Sequence, residues 1–262
     1  MTSIALHPAP RWQTVAREQL RAVGLALRAE GMLFLGALGV IAVLMIISAV
    51  RMAAHPGQNM SIGYVPQATI PMALVAFVIP FSVWRSEDPA RRSYHWAMPV
   101  ARSPHTLTKA ASGWLWLMAA VAVYLLYIVA LSMVVSAITG DPRGGRSIPA
   151  WEWVIPFTSA TVAYLLGSTA VLASDHPWRW IMGVIVTYVV ILLVLLSMDR
   201  TDDVRMWGGI VDGYHGLRTA LFGYVRVRHV GASASRWLSA TAIWGALGVI
   251  GVAGALFRRG DD

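Results

Sequence analysis

The chain contains no cysteine. That absence excludes a disulfide framework, a thiol nucleophile, an iron–sulfur cluster and a thiolate zinc site, and it leaves the redox compartment unread. Charge is scarce too: Asp, Glu, Lys and Arg make up 13% of the 262 residues, about half of the roughly 25% of an ordinary soluble domain. Lysine is nearly missing, Lys109 being the sole one, so arginine supplies almost all of the formal net charge of +8. These arginines are dispersed over several connections without the clustered basic face of a nucleic-acid binder, and none is expected as a partner. The bias toward arginine suits a GC-rich bacterial genome.

What is abundant is apolar sequence, at 57% of residues. Uninterrupted runs of membrane-spanning length fall at 32–50, 65–84, 110–138, 153–173, 180–198 and 238–257. The reading is an all-α integral membrane protein with six transmembrane helices and an amphipathic interface helix before them. The third run exceeds a bilayer core of about 30 Å, so one end is expected to project into water or the helix to tilt. Residues 1–30 show no short apolar core with a cleavage site, and the first span reads as an uncleaved anchor. Basic residues beside the span ends set the orientation. Arg11, Arg17, Arg21 and Arg28 precede span one, Arg85, Arg91, Arg92, Arg102 and Lys109 separate spans two and three, and Arg258 and Arg259 follow span six. These segments are expected in the cytoplasm, with both termini inside the cell membrane. The connection 199–237 opposes this with six arginines, but long loops translocate with less regard to charge. The expected layout is therefore an arm at 1–31, a membrane domain at 32–257 with a cytoplasmic segment 85–109 and an external segment 199–237, and a tail at 258–262.

The spans so bounded contain no Asp, Glu, Lys, Arg or His. Proton relays, ion-coupled carriers and voltage sensors normally place ionisable groups at membrane depth, so the sequence speaks against those classes. No H-E-x-x-H pair, G-x-S-x-G elbow or Walker A loop occurs, so no metal site, catalytic residue or resident cofactor is expected, and the chain reads as no enzyme. Serine, threonine and proline inside the spans suit helix packing, with a greasy cavity as the alternative use. Gly245, Gly248, Gly251 and Gly254 recur every three residues, which favours packing inside the protomer over a dimer face.

Outside the spans two features stand out. Residues 10–29 read as an amphipathic helix whose stripe is Trp12, Ala16, Leu20, Val23 and Leu27, with Arg17, Arg21 and Arg28 on the far side. Such a helix lies on a membrane surface or docks a soluble partner. After span two, Asp88 can cap a short helix at 89–98 that opens on Pro89 and stops at Pro99. It presents Arg91, Arg92, Tyr94, His95 and Trp96, and being too short to stand alone it needs a surface, either protein or lipid headgroups.

This arrangement resembles the ABC-2 type permease subunits of ABC transporters. The layout matches over most of the chain, and the local match is Glu87, then Met98-Pro99-Val100-Ala101-Arg102, then Lys109 and Gly113. Met and Ala stand where that family usually has Leu and Ser, and the Gly-Thr that usually follows the acid is missing. The resemblance implies an ABC-2 exporter-like fold and a second permease copy or a homologous permease. It also implies two cytoplasmic ATPase subunits, which bind the ATP and Mg²⁺ that this chain does not. Coupling to them would fall to Glu87, Asp88, Arg91, Arg92, Tyr94, His95 and Arg102, with the turn 174–179 as a second contact. Spans two and five would face the cavity, making Gln67, Thr69, Thr187 and Tyr188 its polar lining, and segment 199–237 would form short re-entrant or surface helices. The expected cargo is hydrophobic or amphipathic, such as a drug, lipid or peptide. The alternative function is a non-transporting membrane scaffold or sensor that docks a cytoplasmic partner.

Overall fold

The computed structural model describes residues 12–54, 70–84, 102–139, 150–174, 176–198, 200–223 and 233–260. Nine α-helices and no strand occur among them: α1 (Trp12–Ala26), α2 (Arg28–Ala54), α3 (Ile70–Trp84), α4 (Arg102–Thr139), α5 (Ile155–Ala173), α6 (Pro177–Ser197), α7 (Thr201–Asp212), α8 (Leu217–Phe222) and α9 (Ala234–Gly260). A 3-10 turn, Ala150–Val154, leads into α5. Five stretches are long and apolar enough to cross a membrane: Glu30–Arg51, His105–Ile138, Ala150–Ala173, Pro177–Ser197 and Ala234–Arg258. The apolar helix Met72–Trp84 is shorter, and the rest of the expected second span, 65–69, lies outside the described residues. The protein is all-α and of multi-pass membrane type.

The centre of the bundle is α5. More than half of its apolar window is buried, because its sequence alternates small residues with a few large ones and so admits neighbours on two sides. Toward α3, Gly167 leaves room for the backbone of Phe77; a Cβ there would collide with the Phe77 carbonyl oxygen. Toward α9, the glycine ladder performs the same task. A Cβ at Gly248 would stand 2.7 Å from Leu165 Cβ and one at Gly251 2.6 Å from Thr169 Cγ2, while Gly245 faces Val162. Thr169 uses the closeness, since its Oγ1 donates to the Leu165 carbonyl at 2.9 Å and approaches the Gly248 carbonyl at 3.3 Å. Three of the four glycines therefore pack inside the protomer, as their spacing suggested, and Gly254 faces open space.

Helix α4 is 38 residues long, about 57 Å at 1.5 Å per residue, and overshoots a 30 Å hydrocarbon core. Its first turns carry α1. Val23 is 2% exposed there, Trp116 Nε1 donates to the Leu20 carbonyl at 2.9 Å, and the Trp116 ring lies 2.8 Å from where a Cβ on Gly24 would be. The expected apolar stripe holds only in part: Leu20 is 37% exposed, and the turn that faces α4 uses Gln19, whose Nε2 lies 2.7 Å from His105 Nε2. A polar contact replaces an apolar one because α4 offers a histidine at that height.

At the opposite end, α7 and α8 form a hairpin in the segment expected to hold short helices. Thr219 and Ala220 of α8 are buried against α5 and α9. Thr219 Oγ1 donates to the Gly213 carbonyl at 3.0 Å, and Arg218 pairs with Asp212 at 3.1 Å. Gly223 ends α8 at φ +65 with its N–H on the Thr219 carbonyl, a left-handed position that suits glycine. Trp244 Nε1 of α9 donates to the His215 carbonyl at 3.1 Å, and Arg236 lies 4.4 Å over the Tyr214 ring, fixing the hairpin to α9.

The central packing predicts a contrast between two glycines. Gly167→Ala must push α3 off α5 and should lower unfolding stability by about 1–3 kcal/mol, the usual range for overpacking. Gly254→Ala meets nothing within 4 Å and should leave the midpoint of thermal unfolding in detergent unchanged or slightly raised.

Candidate functional site

Of the sequence-nominated coupling residues, Glu87, Asp88, Arg91, Arg92, Tyr94 and His95 lie outside the described residues, and Arg102 is the first residue of α4. Gln67 and Thr69 also lie outside them. Thr187 and Tyr188 stand side by side on α6. Side chains gather in two places, at the end of α3 and along the outer face of α6.

The first surrounds the end of α3. The last described turn of α3 ends at Trp84, and groups from three neighbouring helices close on it. Ser82 Oγ donates to Glu30 Oε1 of α2 at 2.7 Å. Lys109 Nζ of α4 lies 5.0 Å from the centroid of the Trp84 ring. Trp84 is 5% exposed and Lys109 6%, so this cation–π contact is shielded from water and correspondingly strong. Glu30 Oε2 and Trp84 Nε1 are buried with no hydrogen-bond partner among the described residues. Phe81, one turn back, stacks on Trp178 at the start of α6, with ring centroids 4.8 Å apart. The end of α3 is thus gripped by α2, α4 and α6 at once, and α1 is tied to the same stretch of α4 through His105.

Sequence reading gave Lys109 only a place in the local match and in the charge count, and passed over Glu30, because each stood just outside an apolar run, at 32–50 and at 110–138. Helices do not stop where apolar runs stop. The crossing stretches begin at Glu30 and His105 and so include both ionisable residues, Lys109 buried and Glu30 half-buried. The signal was available as an isolated Glu and the sole Lys, each within two residues of a span and of opposite charge.

The second arrangement is a groove of about 480 Å³ between α6 and α7, lined by Trp180, Gly183, Val184, Thr187, Tyr188, Ile191 and Trp207. It is almost wholly apolar and opens on the outside of the bundle. Thr187 and Tyr188 do share a lining surface, but on a helix none of whose residues is buried. Tyr188 Oη donates to the Trp207 carbonyl at 3.3 Å, and both residues line the groove. Among the described residues no group of His, Asp and Glu is arranged to hold a metal ion.

No family model matches this chain, and no curated protein or solved structure matches it either.

The rim cluster predicts a measurable coupling. Ser82→Ala strips Glu30 of the one hydrogen bond that reaches its carboxylate among the described residues and should destabilise the protein by about 1–3 kcal/mol. In a Glu30→Leu background the same change should cost much less. A double-mutant cycle by denaturant unfolding in detergent is expected to return an interaction energy of about 0.5–3 kcal/mol.

Proposed function

We propose that the chain is the membrane-spanning permease subunit of an ATP-driven transporter of the ABC-2 type, exporting a hydrophobic or amphipathic compound across a bacterial cell membrane. The observation that carries this reading is the rooting of segment 85–101. It leaves from Trp84, which sits under Lys109, and returns at Arg102, seven residues before Lys109 on the same helix. A push on this segment bears at both ends on a single packed junction that also holds α1, α2 and α6. That is the mechanical requirement for a segment through which an outside partner moves the bundle.

In this proposal two copies of a cytoplasmic ATPase bind Mg²⁺ and ATP and close on the bound ATP. The permease residues facing them are Glu87, Asp88, Arg91, Arg92, Tyr94, His95 and Arg102. The motion passes through Trp84 and Lys109 to α3 and α4, and a second permease copy or a homologous permease completes the pathway. This chain supplies the wall of that pathway and performs no chemistry of its own. Both termini lie in the cytoplasm.

Extraction in mild detergent tests the composition. A nucleotide-binding protein should accompany the chain in stoichiometric amounts; its repeated absence from native pull-downs would sink the transport reading. Reversing Arg91 and Arg92 to Glu should cut cargo-stimulated ATPase and transport at least several-fold. Expression and thermal midpoint should stay unchanged, because exposed charges contribute about 0–1 kcal/mol to folding. Wild-type coupling in the purified variant would remove the assignment.

Sidedness is checked separately, since the chain offers no cysteine background. A cysteine replacing Ser103 should be shielded from an impermeant thiol reagent in intact cells, and one replacing Ser147 should react. The reverse pattern would invert the topology.

A further inference from the structure

We infer that the turn between α7 and α8 lines a water-filled recess at membrane depth and binds the anionic group of an amphiphile there, with Arg236 of α9 as the cation and His215 as a hydrogen-bond acceptor. The binding follows from the hairpin's geometry; that the bound molecule is cargo rests on the transporter reading.

Depth comes first. Helix α6 has 21 residues and rises about 31 Å, so it crosses a hydrocarbon core of about 30 Å with nothing to spare, and none of its residues is buried in protein. Tyr188 is its twelfth residue and therefore stands near the bilayer centre. Because Tyr188 Oη donates to the Trp207 carbonyl, α7 reaches that depth as well. The turn after α7 is tied to α9 well inside the end of that crossing helix. Its His215 carbonyl accepts from Trp244, the eleventh of 27 residues, and the His215 ring meets Ser239, the sixth. The hairpin thus re-enters the membrane.

Residues 213–216 are non-helical backbone at a depth where lipid offers no hydrogen-bond partner. Such backbone persists only inside protein or against water. Protein does not enclose this turn: Tyr214 is 53% exposed, and His215 and Arg236 are exposed as well. The side chains of the Asp212–Arg218 pair are also partly open, and charges facing hydrocarbon at this depth would be costly. Water on this side of the hairpin satisfies all of these groups at once.

The chemistry of the recess is that of an anion site. Arg218 and Asp212 neutralise each other at 3.1 Å, which leaves Arg236 as the uncompensated charge among the groups of the turn. Its Cζ lies 4.4 Å from the centroid of the Tyr214 ring. A cation–π contact fixes a guanidinium without using its N–H donors, whose paired geometry matches a carboxylate or phosphate. Ser239 Oγ donates its one hydrogen to the Arg236 carbonyl at 2.9 Å, so it accepts from His215 Nδ1–H, also at 2.9 Å. That tautomer leaves Nε2 as an acceptor. A phosphate monoester offers what both groups require, an anionic oxygen for Arg236 and a hydroxyl for Nε2, and a ligand held among crossing helices carries an apolar part.

Two measurements on the full chain test this. In proteoliposomes, a cysteine replacing Tyr214 should react with an impermeant thiol reagent about as fast as one replacing exposed Thr201, and far faster than one replacing exposed Ile250 of α9. Labelling at 214 as slow as at 250 would put the turn in lipid and overturn the recess. In dodecyl maltoside, radiolabelled dodecyl phosphate should bind saturably and be displaced by unlabelled dodecyl phosphate but not by zwitterionic dodecylphosphocholine. Displacement by inorganic phosphate at the same concentration would make the ligand a free anion and remove the amphiphile. Arg236→Gln should weaken binding about tenfold, as for the loss of one hydrogen bond to a charged group, while Arg258→Gln at the other end of α9 should not. Equal weakening by both would reduce the effect to overall charge and defeat the assignment. If Arg236→Gln does not fold, His215→Phe serves, and wild-type affinity in that variant would defeat it too. A nucleotide-binding protein missing from native extracts, with these results intact, would remove the transporter and leave the site.

Discussion

Hydrocarbon offers no partner to a backbone N–H or carbonyl, and the whole architecture follows from that constraint. Each crossing segment must satisfy its own peptide groups and so becomes a helix, and the attraction between helices is left to close packing rather than to expulsion of water. Close packing needs small residues in register, and α5 has them. Gly167 admits the backbone of Phe77, while Gly248 and Gly251 of α9 admit Leu165 and Thr169. Where two backbones come this near, a threonine hydroxyl bonded within its own helix reaches the next, as Thr169 does toward Gly248. The order of packing, α3 and α9 against a central α5, is a consequence of where glycine, alanine and serine fall along three helices.

The same constraint explains why the ionisable groups gather at the rim. A carboxylate at the bilayer centre is costly, yet at the end of α3 a glutamate can keep a serine donor and a lysine can rest on an indole ring. Glu30 and Lys109 approach α3 from different helices and hold it through Ser82 and Trp84, two residues apart and thus on different faces of its last turn. An apolar contact at this position would slide; a hydrogen bond and a cation–π contact have fixed partners. Directional contacts at Ser82 and Trp84 keep α2, α3 and α4 in register there.

Much of this was legible in the sequence. Apolar runs longer than any soluble core requires gave the helices, the length of the third run gave the overshoot of α4, and the period-three glycines of α9 gave its packing inside the protomer. The rim was not legible, for a reason that hydropathy makes plain. A run is delimited by its first charged residue, so Glu30 and Lys109 served as boundaries when they belonged to the contents. The amphipathic stripe of α1 misled in a smaller way: periodicity says which face is apolar, but His105 and Trp116 of α4 determined that Gln19 and the Leu20 carbonyl would make the contact. The polar pair Thr187 and Tyr188 was found by type of residue, and its setting on an outer groove depended on α7 folding back along α6, which no local pattern encodes.

That outer setting changes what α6 can do. A helix with no buried residue derives little of its position from the core and is held chiefly at two places, the stack of Phe81 on Trp178 at one end and the Tyr188–Trp207 contact farther along. The first of these lies on the same last turn of α3 that Glu30 and Lys109 grip. A displacement of the rim therefore reaches α6 through an aromatic stack as well as the core through α3. The groove runs along α6 from Trp180 to Ile191 and takes in the second anchor, with Trp207 of α7 completing its wall. Whatever fills it adds contact area to the least supported helix of the bundle, so occupancy of the groove and the position of α6 are bound to influence each other.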